Sequence, residues 1–173
     1  MIGNAKRTNE TIESVLTLSR GSQPRAERIL LGDWLAAFVH ELTAPGAHTG
    51  ANIAVSMDAA DAAVSTDPTH LRQIMQNLCE NGLRYSERAT GAETLELIVR
   101  QNADAGTDLD VIDQGPGISE ADASSIYEPF FTTESKGTGL GLYLARELCE
   151  ANRIRLEYRG STERGSCFRL IFP

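Results

Sequence analysis

Apolar residues recur along this chain at two spacings, about 3.6 and 2, and the switches between them lay out most of its elements. The stretch LGDWLAAFVHEL places Leu35, Phe38, Val39 and Leu42 on one helical face, with Asp33 as the expected N-cap. Pro45 and Gly46 then end that helix. NIAVSM alternates Ile53, Val55 and Met57 with smaller or polar residues and predicts a strand. Asp67 followed by Pro68 reads as an N-cap with proline in the first turn, and the helix it opens carries Leu71, Ile74, Met75 and Leu78. TLELIVRQN and DLDVID predict paired strands joined by a turn containing Asp104 and Gly106. TGLGLYLARELCEAN predicts a helix entered through glycines and closed by Asn152 in a left-handed cap. IRLEYR and SCFRLIF finish the chain as two strands around a turn at Gly160 to Gly165. Upstream, Ile12, Val15, Leu16 and Leu18 predict an amphipathic helix over 4–20, and Gly21, Ser22 and Pro24 a linker, with a domain boundary near residue 28.

About five strands with irregularly alternating helices predict an α+β fold, a two-layer α/β sandwich in which helices cover one face of a mixed, mainly antiparallel sheet. Composition agrees with a packed soluble domain, at 41% hydrophobic and 23% charged residues over 173 positions. No apolar run approaches the roughly 20 residues that cross a bilayer, and the N-terminus lacks a signal-peptide core. Sixteen basic against 24 acidic residues give a net charge of −8, which works against binding nucleic acid or anionic lipid. Cys79, Cys149 and Cys167 are widely spaced and form no CxxC pair, so buried, reduced thiols in a cytosol are expected, without metal.

Four stretches carry candidate chemistry. On the helix after Asp67, Asn77, Asn81 and Arg84 share a narrow stripe beside the apolar one; carboxamide oxygens one turn apart suit a hard cation such as Mg2+, and a solvated polar face is the plain alternative. DQGPGI sets Asp113 after a strand and before Gly115 and Gly117, where a carboxylate could accept from an exocyclic amine while bare backbone approaches a flat ring, although an ordinary Asp-Gly turn looks similar. GTGLGL runs Gly137, Gly139 and Gly141 straight into a helix, an arrangement whose amides favour phosphate. It follows a loop and lacks the βαβ unit of a dinucleotide fold. YEPFFTT puts Phe130 and Phe131 upstream of the glycines, either as core or as the hinge of a lid over a nucleotide.

In the order NLCENGLRY, DQGPGI, YEPFFTT, GTGLGLYLAREL and GSCF, these stretches resemble the N, G1, F, G2 and G3 boxes of the GHKL ATP-binding fold, over roughly residues 29 to 173. Within it the chain is most similar to the catalytic domain of bacterial two-component sensor histidine kinases, of the nitrogen- and pilus-regulating sort. The resemblance implies ATP and Mg2+ as cofactors, Asn81 as the metal ligand with Asn77 in support, Arg84 and Tyr85 near the phosphates, and Asp113 on the adenine amine. Gly115, Gly117, Ile118, Phe130, Phe131, Thr132, Thr133, Lys136, Gly137, Thr138, Gly139, Leu140, Gly141, Leu142 and Ser166 would complete the pocket. It further implies transfer of the γ-phosphoryl to a histidine on a dimerisation domain, and from there to the receiver domain of a response regulator. The catalytic domain would be cytoplasmic, within a full-length kinase anchored in the inner membrane. Residues 1–28 resemble the end of the second dimerisation helix plus a linker; the first helix, with its histidine, is not recognised.

Hydrolysing members of the fold place a glutamate where Asn77 stands, and an amide cannot act as a general base. That substitution argues against an ATP-driven clamp or an anti-sigma serine kinase and for a poor ATPase that keeps its γ-phosphate for transfer. Gly82, Arg84, Glu134 and Ser166 depart from the usual residues; a carboxylate at Glu134 near the γ-phosphate would repel it unless it points outward or Lys136 compensates, which leaves open an ATP-holding module without transfer. FVHELTAP resembles the phosphoacceptor stretch, but His40 lies too close ahead of Asn77 for a dimerisation helix to intervene. It is expected on the flank of the first helix of the ATP-binding domain.

Overall fold

The computed structural model describes residues 23–59, 61–103, 106–133, 137–162 and 165–173. The helix predicted over 4–20 and most of the turn before Gly106 lie outside these residues. Among the described residues seven strands and four helices run in the order β1 (Glu27–Leu30), α1 (Leu31–Leu42), β2 (Asn52–Met57), β3 (Ala63–Thr66), α2 (Pro68–Thr90), β4 (Thr94–Gln101), β5 (Thr107–Asp113), α3 (Glu120–Ala123), α4 (Gly141–Ala151), β6 (Arg155–Thr162) and β7 (Gly165–Phe172).

The main sheet has the order β2-β4-β5-β7-β6; β2 is parallel to β4 and every other pair is antiparallel. Alternation along the strands sends Leu95, Leu97, Val99, Leu109 and Val111 to the helix side, where they meet Leu71, Ile74, Met75, Leu78 and Leu83 of α2 and Leu148 of α4 in one core. The opposite face carries charge. Asp110 is only 2% exposed there, held by Arg169 Nε at 2.6 Å and Nη2 at 2.8 Å and by Arg100. The expected layering of a mixed sheet with helices on one face is therefore the observed one.

A second, two-stranded sheet of β1 and β3 was not anticipated. Each strand has four residues, too few to display a period, and they hold together through buried Ile29 and Val64. β1 also moves the start of α1. Because Leu31 N–H donates to Ala62 O, the chain turns into the helix directly from the strand, leaving Leu30 in the cap position and Asp33 inside the first turn. Asp33 is thus not the N-cap; it still faces the positive helix end.

α2 starts as expected, Asp67 Oδ1 accepting from Thr69 N at 2.9 Å and His70 N at 3.1 Å, and ends on Gly91 with φ +79°. The end of α4 differs: Asn152 has φ −96° and the left-handed residue is Arg153, with φ +60°. Asn152 is instead committed to buried hydrogen bonds. β6 and β7 extend into the expected turn, β6 to Thr162 and β7 from Gly165, with an irregularity between Tyr158 and Ser161 where Gly160 adopts φ +79°. All three cysteines are buried without a disulfide, and burial pushes the Cys167 thiol up to about 11. Among the described residues no helix is long and apolar enough to cross a membrane.

Candidate functional site

The polar stripe of α2 faces the N-terminus of α4. A Cβ built on Gly141 would stand 3.6 Å from both Asn77 Oδ1 and Asn81 Nδ2, so the first turn of α4 lies directly against the two carboxamides. That turn has neither a side-chain cap nor an acidic residue. Its amides and the positive end of its dipole are left for an anion. Asn77 Nδ2 is buried with no hydrogen-bond partner, while its Oδ1 is the atom turned toward Gly141. Arg84 Nη2 donates to Asn81 Oδ1 at 2.6 Å, and its guanidinium lies 5.6 Å from the centre of the Tyr85 ring. Two carboxamides one turn apart are a donor set that fits Mg2+ when phosphate oxygens complete the shell.

Asp113 ends β5 and is only 4% exposed. Burial raises its pKa above the ordinary carboxylate value, although its Oδ1 accepts from Gly115 N at 2.8 Å and Ser166 N at 3.0 Å. Glycine is required on both sides of it. A Cβ on Gly115 would meet Tyr85 Cβ at 2.9 Å, and one on Gly165, at φ +117°, would meet Asp113 O at 2.4 Å.

Gly139 closes the other wall. It adopts φ +66°, its carbonyl accepts from Phe130 N at 3.0 Å, and a Cβ there would lie 2.4 Å from the Phe130 carbonyl carbon. Phe130 itself has φ +67° and its side chain is 74% exposed, whereas Phe131 packs against the core. Phe131 thus takes the core place that the sequence offered, and Phe130 does not.

One cavity of about 260 Å³ unites these parts. It is lined by Asn77, Asn81, Arg84, Tyr85, Asp113, Gly117, Ile118, Phe131, Thr132, Thr133, Gly137, Thr138, Gly139, Leu140, Gly141, Leu142 and Ser166, all anticipated from the sequence. Gly115 supports Asp113 from behind, Phe130 faces solvent, and Lys136 lies outside the described residues. Glu80, Gly82, Pro116, Ser119, Asp122, Ile126, Leu144 and Phe168 also line it and were not anticipated. Ser119 and Asp122 form a capping pair on α3, Asp122 N–H donating to Ser119 Oγ at 3.1 Å, and an S-x-x-D search would have found them. Ile126, Leu144 and Phe168 read as ordinary core. His40 is exposed on α1, away from the cavity lining.

The relatives of this chain are sensor kinases. It is 44% identical over 170 residues to the sensor protein kinase PilS of Pseudomonas aeruginosa, spanning 97% of this chain and 32% of that protein. It is 30% identical over 176 residues to the C4-dicarboxylate transport sensor protein DctS of Rhodobacter capsulatus, 26% of whose length it covers. The chain thus spans about a third or less of these relatives. Among solved structures, the catalytic domain of histidine kinase ThkA superposes with a TM-score of 0.73 at 22% identity, over 86% of this chain and 95% of that one. Full-length ShkA in complex with AMPPNP gives 0.78 at 22% identity, over 99% of this chain and 38% of that one. Both share the fold described above. With residues 66–173 matching the model of the histidine kinase-, DNA gyrase B- and HSP90-like ATPases, which spans α2, the cavity and β7, the chain belongs to that family.

Proposed function

We propose that the chain is the ATP-binding catalytic domain of a sensor histidine kinase, and that it transfers the γ-phosphoryl of Mg-ATP to a histidine on the dimerisation domain. The observation that carries this reading is the convergence, in one cavity, of the α2 carboxamides, the uncapped end of α4 and buried Asp113. The α4 amides would receive phosphate, and Asp113 would accept from the adenine amine. Asn81, supported by Asn77, would hold Mg2+, whose charge would offset that developing on the phosphates. In the transfer a bond forms from the acceptor imidazole nitrogen to phosphorus as the bond from phosphorus to the ADP oxygen breaks. Asn77 offers no base for water, so hydrolysis would be slow and positioning would supply the catalysis. Residues 29–173 would form this domain and 1–28 the end of a dimerisation helix with its linker. A response-regulator receiver domain would then take the phosphoryl group, with the domain working in the cytoplasm within a kinase anchored in the inner membrane.

The test has two steps. A fluorescent ATP analogue should bind more tightly with Mg2+ than without, and Asn81→Ala and Asp113→Ala should each weaken it; unchanged affinity in both would remove the pocket assignment. Labelled ATP mixed with this chain and a separate protein bearing the family's histidine helix should then leave an acid-labile label on that partner. Nucleotide binding without any such label would favour a module that holds ATP without transferring it.

A further inference from the structure

The Asn81 carboxamide is turned the wrong way for a cation between α2 and α4. Its nitrogen faces Gly141, and its oxygen is held by Arg84 one turn further along the same helix at 2.6 Å. A hard dication at the α4 side takes oxygen and not an amide nitrogen. Turning the carboxamide brings Oδ1 round to that side and breaks the bond to Arg84.

We propose that Arg84 is an internal cation that holds Asn81 while the pocket is empty, and that loading is an exchange in which Mg2+ takes Oδ1 and Arg84 passes to the phosphates. This rests on the reading of Asn81 as the metal ligand. Two cations cannot share one amide oxygen without strong repulsion, so the dication and the guanidinium exclude each other there. A triphosphate supplies the negative charge that accommodates both. The guanidinium needs only side-chain rotation, since Arg84 already lines the cavity beside Tyr85. A carboxamide engaged by a charged donor is more firmly held than one bonded to a neutral group, which makes the exchange a measurable part of metal binding. Without nucleotide, the site should therefore reject Mg2+; with it, Mg2+ and phosphate should enter together.

The exchange is tested first in the nucleotide-free chain by thermal unfolding of Asn81→Ala, Arg84→Met and the double variant. The double variant should lose less stability than the two single losses added together, because each single change already removes the shared bond. The second measurement is the ratio of dissociation constants for a fluorescent ATP analogue without and with Mg2+. Arg84→Met should raise this ratio about tenfold, the scale of one hydrogen bond to a charged group, even as Mg2+-free affinity falls. Arg84→Lys, which keeps a cation in reach, should hold it near the wild-type value. Additive thermal effects, or a ratio unmoved by Arg84→Met, would overturn the exchange and leave the nucleotide site standing. Failure of the unaltered chain to bind the analogue at any Mg2+ concentration would instead overturn the site reading itself.

Discussion

Asp113 is a carboxyl whose surroundings resist its ionisation. Its folded-state pKa is raised, chiefly by burial, so above that pKa the folded chain carries a charge that the unfolded chain would carry more easily. The penalty is present at neutral pH and is relieved as pH falls through the raised value. Asp113→Asn should therefore raise the unfolding temperature at pH 7, because an amide oxygen can still accept from Gly115 and Ser166 while the charge is gone. The gain should shrink towards about pH 4, where the carboxyl of the parent chain is protonated. Affinity for an ATP analogue should fall at least about tenfold, since the new amide nitrogen would set a donor against the adenine amine. Thermal unfolding at both pH values with an analogue titration checks all three; a destabilised variant that binds normally would contradict the account. The sequence placed this aspartate after a strand and before glycines, but Gly82, Gly165 and Ser166, which pack against it, are brought there only by the fold.

The legible elements are those long enough to show a period. α2 was evident from its apolar stripe, α4 from the glycines at its entry, and β4, β5 and β7 from apolar residues spread over seven or eight positions. β1 and β3 were not, since each buries little, and their pairing across the chain decides where α1 begins. Pocket walls divide the same way. Glycines and carboxamides stand out in a sequence, whereas Ile126, Leu144 and Phe168 differ from other core residues only in facing the cavity. Gly139 belongs to this scale, because it joins the segment after Phe130 to the start of α4. Gly139→Ala would force a Cβ to within 2.4 Å of the Phe130 carbonyl carbon at a backbone angle that favours glycine. The bridge between the two residues should open, weakening analogue binding about tenfold or more while the sheet persists. Far-ultraviolet circular dichroism beside an analogue titration separates the effects; full affinity would show that the bridge does not shape the pocket.

At the scale of the whole molecule, the pocket depends on how α2 and α4 are set against each other, and their far ends are tied by one side chain. Asn152 Oδ1 accepts from Thr66 Oγ1 and from Asp67 N, each at 3.0 Å, while its Nδ2 donates to Leu148 O at 2.7 Å and to His70 Nδ1 at 2.9 Å. It thereby joins the end of β3, the cap of α2 and the last turn of α4. Asn152→Ala would strand a buried hydroxyl and the Asp67 N–H, each costing about 1–3 kcal/mol when unsatisfied. At about 2–4 °C per kcal/mol for a domain of this size, the unfolding temperature should fall by roughly 4–24 °C. Analogue affinity should fall too, although Asn152 lies outside the cavity lining, because loosening this end changes the spacing of Asn77 and Asn81 from Gly141. Calorimetric unfolding and an analogue titration on the same preparation test the link. A large drop in unfolding temperature with unaltered affinity would mean that the helix angle is fixed by apolar packing alone, and that the Asn152 bonds serve stability without setting the site.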